Sequence, residues 1–429
     1  MKPILQLALD FVDLQRALKC ATLAVEGGID WIEAGTPLIK SEGLHAVREL
    51  RKMFPHKTIV ADMKIMDAGR IEVESAAKSG ANIVDVLGAA SDATIRECIE
   101  AAENYGAKIV VDLIAVDDVV SRARELEEMG AHYITVHCAI DEQMEGKNPF
   151  EKLRKVAQAV SIPVGVAGGI NSETAAQAIK SGASIVIVGG AITKSKAPQK
   201  AASLIRECVD EDIAVETTLF KRGTGTNIRD ILLKVSTANL SDALHRQGVV
   251  PNMRPIFENI KMVGQIVTVR AYPGDWAKPV EAIDVASEGD VIVIDAGGVG
   301  PALWGELATH SALQKRLSGV VIYGAIRDTY DIRLMKFPSF STLITPNAGE
   351  PKGFGEINIP LHIEGISIEP GDWAVGDDDG VVILPQHKSV EYANRAMDVL
   401  ERENRIREEI KEGSTLSSVT ELLKWEKKV

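Results

Sequence analysis

The stretch from Thr58 to Gly69 reads TIVADMKIMDAG, and it decides the fold prediction. Four β-branched or apolar residues lead directly into the charged side chains of Asp62, Lys64 and Asp67. This is the pattern of a buried parallel strand that ends in polar chemistry. In a (β/α)8 barrel the carboxyl ends of the strands carry the active site. The run is therefore a candidate catalytic cluster, with a solvated salt bridge at a strand end as the alternative.

Apolar runs of the same kind recur along the first 210 residues, at intervals of about 23 to 30 residues. Each interval contains an amphipathic segment long enough for a helix, as at 91–105 and 117–129. Eight such βα units in just over 200 residues predict an α/β fold, a compact (β/α)8 TIM barrel. The strands are predicted to begin near Ile4, Asp30, Thr58, Asn82, Lys108, His132, Ile162 and Ile185.

Length and composition indicate two domains, since 429 residues exceed one ordinary domain. The formal net charge of -13 disfavours a general affinity for nucleic acid or anionic lipid. The N-terminal sequence lacks a signal-peptide pattern, and no apolar run reaches the length of a membrane span. We therefore expect a cytoplasmic protein without nucleic-acid or membrane partners. The four separated cysteines, Cys20, Cys98, Cys138 and Cys208, are expected to be reduced and mostly buried.

Ionisable residues gather at the predicted carboxyl ends of the barrel strands and are nearly absent elsewhere along them. A lone histidine is more often structural, but the position of His137 at the end of the run YITVH favours catalysis. Glu33 and Asp62, on adjacent strands, could hold Mg2+ with water and substrate completing its coordination. The residues at these strand ends are Asp10, Glu33, Asp62, Lys64, Asp112 and His137.

Strands 7 and 8 end in paired glycines instead of charges, in the sequences VGVAGGI at 164–170 and IVIVGGAI at 185–192. The loops after these two strands are the usual phosphate site of a TIM barrel. One glycine pair is no better evidence for a phosphate than for a tight turn, but two pairs at two strand ends predict a phosphate site. Its backbone N–H groups would belong to Gly168, Gly169, Gly189, Gly190 and Ala191.

The first 210 residues resemble the orotidine-monophosphate-decarboxylase superfamily, and within it the 3-hexulose-6-phosphate synthase branch. The matching motifs are LALD, IEAGTPLIKSEG, ADMKIMDAG, VHCAIDEQ and the VAGGI and VGGAIT pair. Orotidine-monophosphate decarboxylases use the Asp-x-Lys-x-x-Asp run without a metal, whereas IEAGTPL with Glu33 is similar to the metal-using branch. That branch also contains 3-keto-L-gulonate-6-phosphate decarboxylase.

This resemblance implies aldol condensation of ribulose 5-phosphate with formaldehyde to D-arabino-hex-3-ulose 6-phosphate, or the reverse reaction. Glu33 and Asp62 would hold Mg2+ against the substrate oxygens. By resemblance, His137 would remove a C1 proton to give a Mg-stabilised enediolate that attacks formaldehyde. Lys64 would hydrogen-bond substrate oxygens and stabilise their developing charge.

The same resemblance assigns Asp10 and Asp112 to substrate orientation and implies that Asp67 comes from the partner subunit of a dimer. The alternative is a decarboxylase barrel, of the 3-keto-L-gulonate-6-phosphate or orotidine-monophosphate type, with a non-catalytic C-terminal binding module.

A linker is predicted at 213–234, between the barrel at 1–212 and a second domain at 235–429. Its sequence VETTLFKRGTGTNIRD is polar and lacks core periodicity, so its Gly-Thr-Gly-Thr run is interpreted as linker and not as a phosphate loop. The second domain is predicted to be mixed α/β, ending in a charged helical tail that packs on the domain or mediates oligomerisation. It should contain a helix at 241–247 and strands at 264–271, 290–295, 319–323 and 380–384, with the tail at 388–429.

Two stretches of the second domain carry chemistry. The sequence GGVGPALWGELAT at 297–309 is a glycine-rich loop that enters a helix, which suits an anion or a carboxylate. The sequence VIYGAIRDTYD at 321–331 ends a strand with Arg327 and Asp328. An arginine can bind a carboxylate and an acid can hold a cation, although an isolated Arg-Asp pair is more often a salt bridge.

Residues 235–387 resemble the family of regulator of ribonuclease activity A and the 4-hydroxy-4-methyl-2-oxoglutarate aldolases, through STANLSDAL, the WGELAT loop and GAIRD. The resemblance implies an RraA-like swivelling domain, typically trimeric, so we expect a homo-oligomer with dimeric barrels and trimeric C-terminal domains. Arg327 would bind pyruvate and Asp328 would hold Mg2+ in an aldolase, while a purely regulatory role stays open. The loop N–H groups that would bind pyruvate belong to Gly305, Glu306, Leu307 and Ala308.

Overall fold

The computed structural model describes residues 2–217, 223, 225, 227–411 and 413–419. The chain divides into two compact units, 1–222 and 223–429. Each unit has its own buried apolar core. None of the helices in these described ranges is both long and apolar enough to cross a membrane. The four cysteines are free and buried, as expected.

The first unit is a closed barrel of eight parallel strands, which confirms the predicted fold. Consecutive strands pair in sequence order, and the eighth strand pairs with the first to close the barrel. Every predicted strand start lies within two residues of the observed start. The strands are β1 (Ile4–Leu9), β2 (Trp31–Ala34), β3 (Thr58–Ile65), β4 (Ile83–Leu87), β5 (Lys108–Asp112), β6 (Tyr133–His137), β7 (Val164–Ala167) and β8 (Ile185–Val188).

Helices follow the barrel strands and cover their outer faces. Gly106 ends the helix at 92–105 with a φ of 70°, a left-handed conformation that suits a residue without Cβ. The helices are α1 (Leu14–Glu26), α2 (Thr36–Glu42), α3 (His45–Met53), α4 (Gly69–Lys78), α5 (Asp92–Tyr105), α6 (Val119–Glu128), α7 (Ile140–Met144), α8 (Phe150–Ala157), α9 (Ala175–Lys180), α10 (Gly190–Thr193) and α11 (Pro198–Glu211).

The barrel interior has an apolar floor, formed by Trp31, Val60, Ile83, Val110 and Tyr133. Their sequence neighbours on the strands pack in the separate cluster that includes the surrounding helices. Because strand side chains alternate between two faces, the residue two positions after each floor residue also faces the interior. These five residues, here called the polar ring, are buried above the floor, toward the carboxyl ends of the strands: Glu33, Asp62, Asp85, Asp112 and Thr135.

The described part of the second unit contains a nine-stranded mixed sheet and a separate two-stranded hairpin. The strands are β9 (Val249–Val250), β10 (Arg254–Pro255), β11 (Met262–Ala271), β12 (Val291–Asp295), β13 (Gly319–Ile326), β14 (Ser339–Ile344), β15 (Gly355–Ile357), β16 (Leu361–Ile363), β17 (Ile366–Ile368), β18 (Trp373–Asp377) and β19 (Gly380–Leu384). The sheet order is β10-β14-β13-β12-β11-β18-β19-β9, with β15 paired to β11. Strands β11 to β14 are mutually parallel.

Both faces of this sheet are covered. Ile292 and Ile294 pack in one apolar cluster, while Val291 and Val293 pack in another. The helices of the unit are α12 (Ile228–Leu232), α13 (Thr237–Ala243), α14 (Ala277–Val285), α15 (Glu306–Gln314), α16 (Thr329–Met335), α17 (Ser389–Lys411) and α18 (Leu416–Val419). The charged tail helix α17 packs against α12 and α13.

Two predicted boundaries differ from the structure. Part of the predicted linker forms α12, because Ile228, Ile231 and Leu232 are buried in the second unit. The helix predicted at 241–247 lies at Thr237–Ala243 instead, because Ser236 and Asn239 form a reciprocal capping box that starts it earlier. Residues 218–222, 224 and 226 of the linker lie outside the described residues.

Candidate active site

The third strand carries a local irregularity that sets up the site. Its pairing with β4 shifts register between Ala61 and Ile65, and Lys64 has a φ of 46°. A non-glycine residue in this region is strained, and such strain persists where the surrounding contacts over-determine the conformation. The contact concerned is between Lys64 Nζ and Asp62 Oδ1, at 3.0 Å. The bulge therefore holds two of the three charged groups of the predicted cluster, Asp62 and Lys64, together.

Four predicted site residues form one continuous chain of polar contacts. Lys64 Nζ lies 3.1 Å from Asp112 Oδ2, and His137 Nδ1 lies 2.8 Å from the same oxygen. The other oxygen of Asp112 accepts the backbone N–H of Ile114. Strands β3, β5 and β6 thus bring Asp62, Lys64, Asp112 and His137 into a single network.

Asp112 defines the state of His137. Burial raises the pKa of Asp112, but the hydrogen bond and charge of His137, the charge of Lys64 and the Ile114 N–H outweigh it, so the pKa lies below its ordinary value. An ionised Asp112 accepts the Nδ1–H of His137, so in the uncharged imidazole the proton-accepting nitrogen is Nε2. A histidine in this tautomer can act as a general base through Nε2.

Lys64 is held as an ammonium. Burial lowers the pKa of Lys64, but the charges of Asp85, Asp62 and Asp112 raise it by more, so the pKa lies above its ordinary value. A permanently charged ammonium cannot serve as a base. It can stabilise negative charge that develops on a bound substrate.

Glu33 is 8% exposed, and the side-chain amide of Gln6 donates to Glu33 Oε2. Burial, followed by the charges of Asp62 and Asp10, raises the pKa of Glu33 well above its ordinary value. Thr36 donates to Asp62 Oδ2 from its hydroxyl, at 2.6 Å, and from its N–H, at 3.2 Å. These carboxylates therefore lie close enough to repel one another.

The residues present fit a hard divalent cation. The polar ring contains four acids, and Asp10 lies beside it. The ammonium of Lys64 is the positive charge that acts on Glu33 and Asp85, so carboxyl groups outnumber positive charges here. In the described ranges, no group of three or more His, Cys, Asp or Glu side chains is placed to hold a metal ion. Mg2+ commonly binds through one or two carboxylates and completes its coordination with water and substrate oxygens. Glu33 and Asp62 could supply those two carboxylates.

Asp10 lies at the mouth of the barrel, directly after β1. A Cβ built on Gly35 would lie 2.3 Å from Asp10 Oδ1, so Gly35 leaves the room that this carboxylate occupies. Gly189 lies on the other side, where a Cβ would be 3.5 Å from Asp10 Oδ2. The structure thus brings Asp10 beside the loop that follows β8.

The paired glycines follow β7 and β8 as predicted. Gly168 and Gly169 have φ values of 103° and 73°, which favour glycine. Gly190 and Ala191 open α10, and the first N–H groups of a helix have no partner within it. Their role toward a phosphate stays a prediction.

Asp67 stands apart from the network. It is exposed, and its Oδ1 accepts the N–H of the adjacent Ala68 at 2.7 Å. The single chain therefore does not bring Asp67 to the other site residues, and its assignment to a partner subunit stays a prediction.

Three residues of the site were not predicted: Gln6, Thr36 and Asp85. Gln6 and Asp85 are single polar residues inside otherwise apolar strand sequences, ILQLAL and IVDVL. That signal was available in the sequence. Thr36 follows a strand by two residues and carries no comparable signal.

The second unit brings its predicted residues together at the end of β13. The N–H of Arg327 donates to the carbonyl of Trp304, which fixes the glycine-rich loop against the strand. Asp328 Oδ2 lies 3.4 Å from Arg327 Nε and accepts the N–H of Glu306 at 3.1 Å. Gly305 approaches this carboxylate so closely that a Cβ would lie 2.4 Å from it.

The N–H of Glu306, which is one of the four predicted to bind a ligand, is thus hydrogen-bonded within the chain. The carboxylate of Asp328 accepts the N–H of Glu306, while Leu307 and Ala308 occupy the first turn of α15, where N–H groups have no helical partner. The N–H groups of Leu307 and Ala308 therefore remain available to bind an anion.

Comparison with protein families separates the same two units. The model of the orotidine 5'-phosphate decarboxylase / HUMPS family matches residues 3–205, and the RraA-like model, described as Aldolase/RraA, matches residues 237–383. Both resemblances found in the sequence are confirmed at this level.

Individual relatives match the first unit. A 3-hexulose-6-phosphate synthase of Bacillus subtilis is 43% identical over 206 residues, which is 48% of this chain and 98% of the relative. A protein of the same name from Staphylococcus epidermidis is 42% identical over 207 residues, again 48% of this chain and 98% of the relative. The 3-hexulose-6-phosphate synthase from Salmonella typhimurium, known from a crystal structure, is 39% identical in sequence. The match covers 50% of this chain and 100% of the solved chain, with a TM-score of 0.48.

Proposed function

We propose an aldol reaction for the first unit, on the premise that the chain belongs, through residues 3–205, to the orotidine 5'-phosphate decarboxylase / HUMPS family. The reaction is the condensation of ribulose 5-phosphate with formaldehyde to D-arabino-hex-3-ulose 6-phosphate, or its reverse. The names of the relatives that match nearly over their whole length support this choice.

The observation that carries the proposal is the contact chain from Asp62 through Lys64 and Asp112 to His137. It offers a base whose tautomer is fixed and an ammonium beside it. His137 Nε2 takes a proton from C1 of ribulose 5-phosphate, and Lys64 stabilises the negative charge that forms on the substrate oxygens. C1 then bonds to the formaldehyde carbon, and the formaldehyde oxygen takes up the proton that His137 removed.

Glu33 and Asp62 are the residues that would hold Mg2+. The bound cation would supply positive charge beside the carbonyl and hydroxyl oxygens of the substrate. Asp10 would orient the sugar from the barrel mouth, and the glycine loops after β7 and β8 would bind its phosphate.

The test is an assay of the whole protein with ribulose 5-phosphate, formaldehyde and Mg2+, with and without a chelator. We expect hexulose 6-phosphate to form, and the chelator to abolish its formation. Activity that ignores the chelator would favour a metal-free decarboxylase. Absence of product in both directions would contradict the proposal.

For the second unit, the contacts among Arg327, Asp328 and the loop at Gly305 support binding of a small 2-oxo acid such as pyruvate. An aldolase role predicts release of pyruvate from 4-hydroxy-4-methyl-2-oxoglutarate by the full chain. Loss of that release in Arg327→Ala would support it. No release by the unsubstituted protein would leave this unit a binding or regulatory module.

A further inference from the structure

Asp85 is the acid of the polar ring whose partner is missing. It lies in the middle of β4 and is 7% exposed. Its Oδ1 is enclosed, and no described residue donates a hydrogen bond to it. Each of the other three acids of the ring has a donor: Gln6 for Glu33, Thr36 for Asp62, and His137 for Asp112.

A buried carboxyl without a donor is costly for the fold. Its nearest compensating charge, Lys64, already bonds to Asp62 and Asp112. Burial and then the charges of Asp62 and Asp112 raise the pKa of Asp85 well above its ordinary value. A valine would continue the apolar strand IVDVL without this penalty. The charge of Lys64 favours an ionised Asp85 but gives its Oδ1 no hydrogen bond, and buried polar groups left without a donor tend to serve function.

The position of Asp85 relative to the glycine loops suggests what it contacts. In the closed barrel β4 and β8 are four strands apart, on opposite sides of the interior. The proposed phosphate loops follow β7 and β8. Asp85 also lies one ring above the apolar floor, at the deep end of the site. A sugar phosphate bound by those loops would therefore point its other end toward β4.

We infer that Asp85 is a substrate-binding residue, whose carboxyl hydrogen-bonds the terminal hydroxyl of an acyclic ketose phosphate at the end remote from the phosphate. This inference rests on the proposed function of the first unit. The terminal hydroxyl is that of C1 in ribulose 5-phosphate and, in the condensation product, the hydroxyl derived from formaldehyde. Asp85 thus selects ligands that carry a hydroxyl at this position.

The experiment compares three variants of the full chain, Asp85→Val, Asp85→Asn and the control Val84→Ala. Val84 precedes Asp85 on β4 but packs in the cluster that includes the surrounding helices, so its substitution reports packing changes in this strand without altering the site interior. Calorimetry measures the affinity for ribulose 5-phosphate and, as a separate probe, for inorganic phosphate. For Asp85→Val we expect an affinity for the sugar phosphate about 10- to 100-fold weaker, with unchanged affinity for inorganic phosphate. Asp85→Asn should lie between, since an amide still accepts a hydrogen bond.

The thermal unfolding temperature supplies the second readout. Removal of an unpartnered buried carboxyl should leave this temperature unchanged or raise it in Asp85→Val. Unchanged sugar-phosphate affinity in Asp85→Val would overturn the inference. A lower unfolding temperature with loss of affinity for both probes would also overturn it, because that result indicates a structural role.

Failure of the proposed function is distinguishable from failure of this inference. If the unsubstituted protein binds ribulose 5-phosphate but does not condense it with formaldehyde, the reaction is wrong while the comparison of affinities still decides the role of Asp85. If the unsubstituted protein does not bind ribulose 5-phosphate, both are overturned.

Discussion

The two candidate sites of this chain differ most in how far their charged groups are shielded from water. In the barrel, the side chains of Asp112 and Asp62 are 2% and 10% exposed, and that of Lys64 is 24% exposed. In the second unit, the side chains of Arg327 and Asp328 are 42% and 37% exposed, and Leu307 is 78% exposed. One site is enclosed by a single chain and the other is open.

Shielding determines how strongly charged groups act on one another. Buried charges interact in a medium of low effective dielectric, and the pKa values of Glu33, Lys64 and Asp112 depart from their ordinary values accordingly. An open site gains this shielding only when another surface covers it.

The second unit exposes apolar side chains, including Tyr330, Leu334 and Ile344. Exposed apolar side chains of this kind indicate that another protein surface packs there. We propose that further copies of this chain provide it, as the resemblance to a trimeric family implies. On this proposal the barrel network is complete in one chain, apart from Asp67, whereas the second site would be completed by assembly.

Asp62→Ala should produce the largest effect. It removes one of two proposed metal ligands and one contact of Lys64, so we expect a loss of synthase activity of about 1,000-fold or more while the barrel stays folded. Steady-state assays with circular dichroism would measure both. The control is Glu97→Ala, which removes an exposed acid of α5 far from the network. Full activity in Asp62→Ala would refute the assignment.

The second prediction concerns pH and Mg2+. Burial, together with the charge of Asp62, raises the pKa values of Glu33 and Asp85 well above the range near 4 that carboxyls show in an unfolded chain. At a pH between the ordinary pKa of these carboxyls and their raised pKa in the folded barrel, the folded barrel binds more protons than the unfolded chain. Its free energy of unfolding therefore falls as pH rises. We expect its unfolding temperature in a chelator to fall as pH rises above the ordinary range of carboxyl pKa values.

Mg2+ should offset that fall, because a cation binds the ionised carboxylates and stabilises the folded state. Scanning calorimetry with Mg2+ and with chelator measures the difference. Glu33→Gln should flatten the pH dependence and remove the response to Mg2+. An identical pH dependence with and without Mg2+ would count against a metal at Glu33 and Asp62.

The smallest expected effect is none. Arg327 lies in the other unit, so synthase activity in Arg327→Ala should stay within about twofold of the unsubstituted value, as for distant independent sites.

Residues 1–212 alone should also fold, dimerise and keep this activity, because every group assigned to the reaction lies between Asp10 and Ala191. Loss of activity on truncation with a folded barrel would show that the second unit completes or supports the first site.

Much of the fold could be read from local pattern. The eight barrel strands begin within two residues of their predicted starts, since apolar runs flanked by helices report strand position directly. The short strands of the second unit, such as Gly355–Ile357 and Leu361–Ile363, were missed because three residues are too few for a periodic signal. The start of α13 was missed because a capping box and not periodicity decides it.

The sequence by itself determined which residues stand at the strand ends: Asp62, Lys64, Asp112 and His137 follow from chain position alone. Only the tertiary structure decided that Asp112 bonds both Lys64 and His137, because that contact depends on barrel closure and on the bulge at Lys64. The same holds for Asp85. Its strand position is visible in the sequence, but its missing donor is a property of every neighbour around it, and those neighbours come from distant parts of the chain.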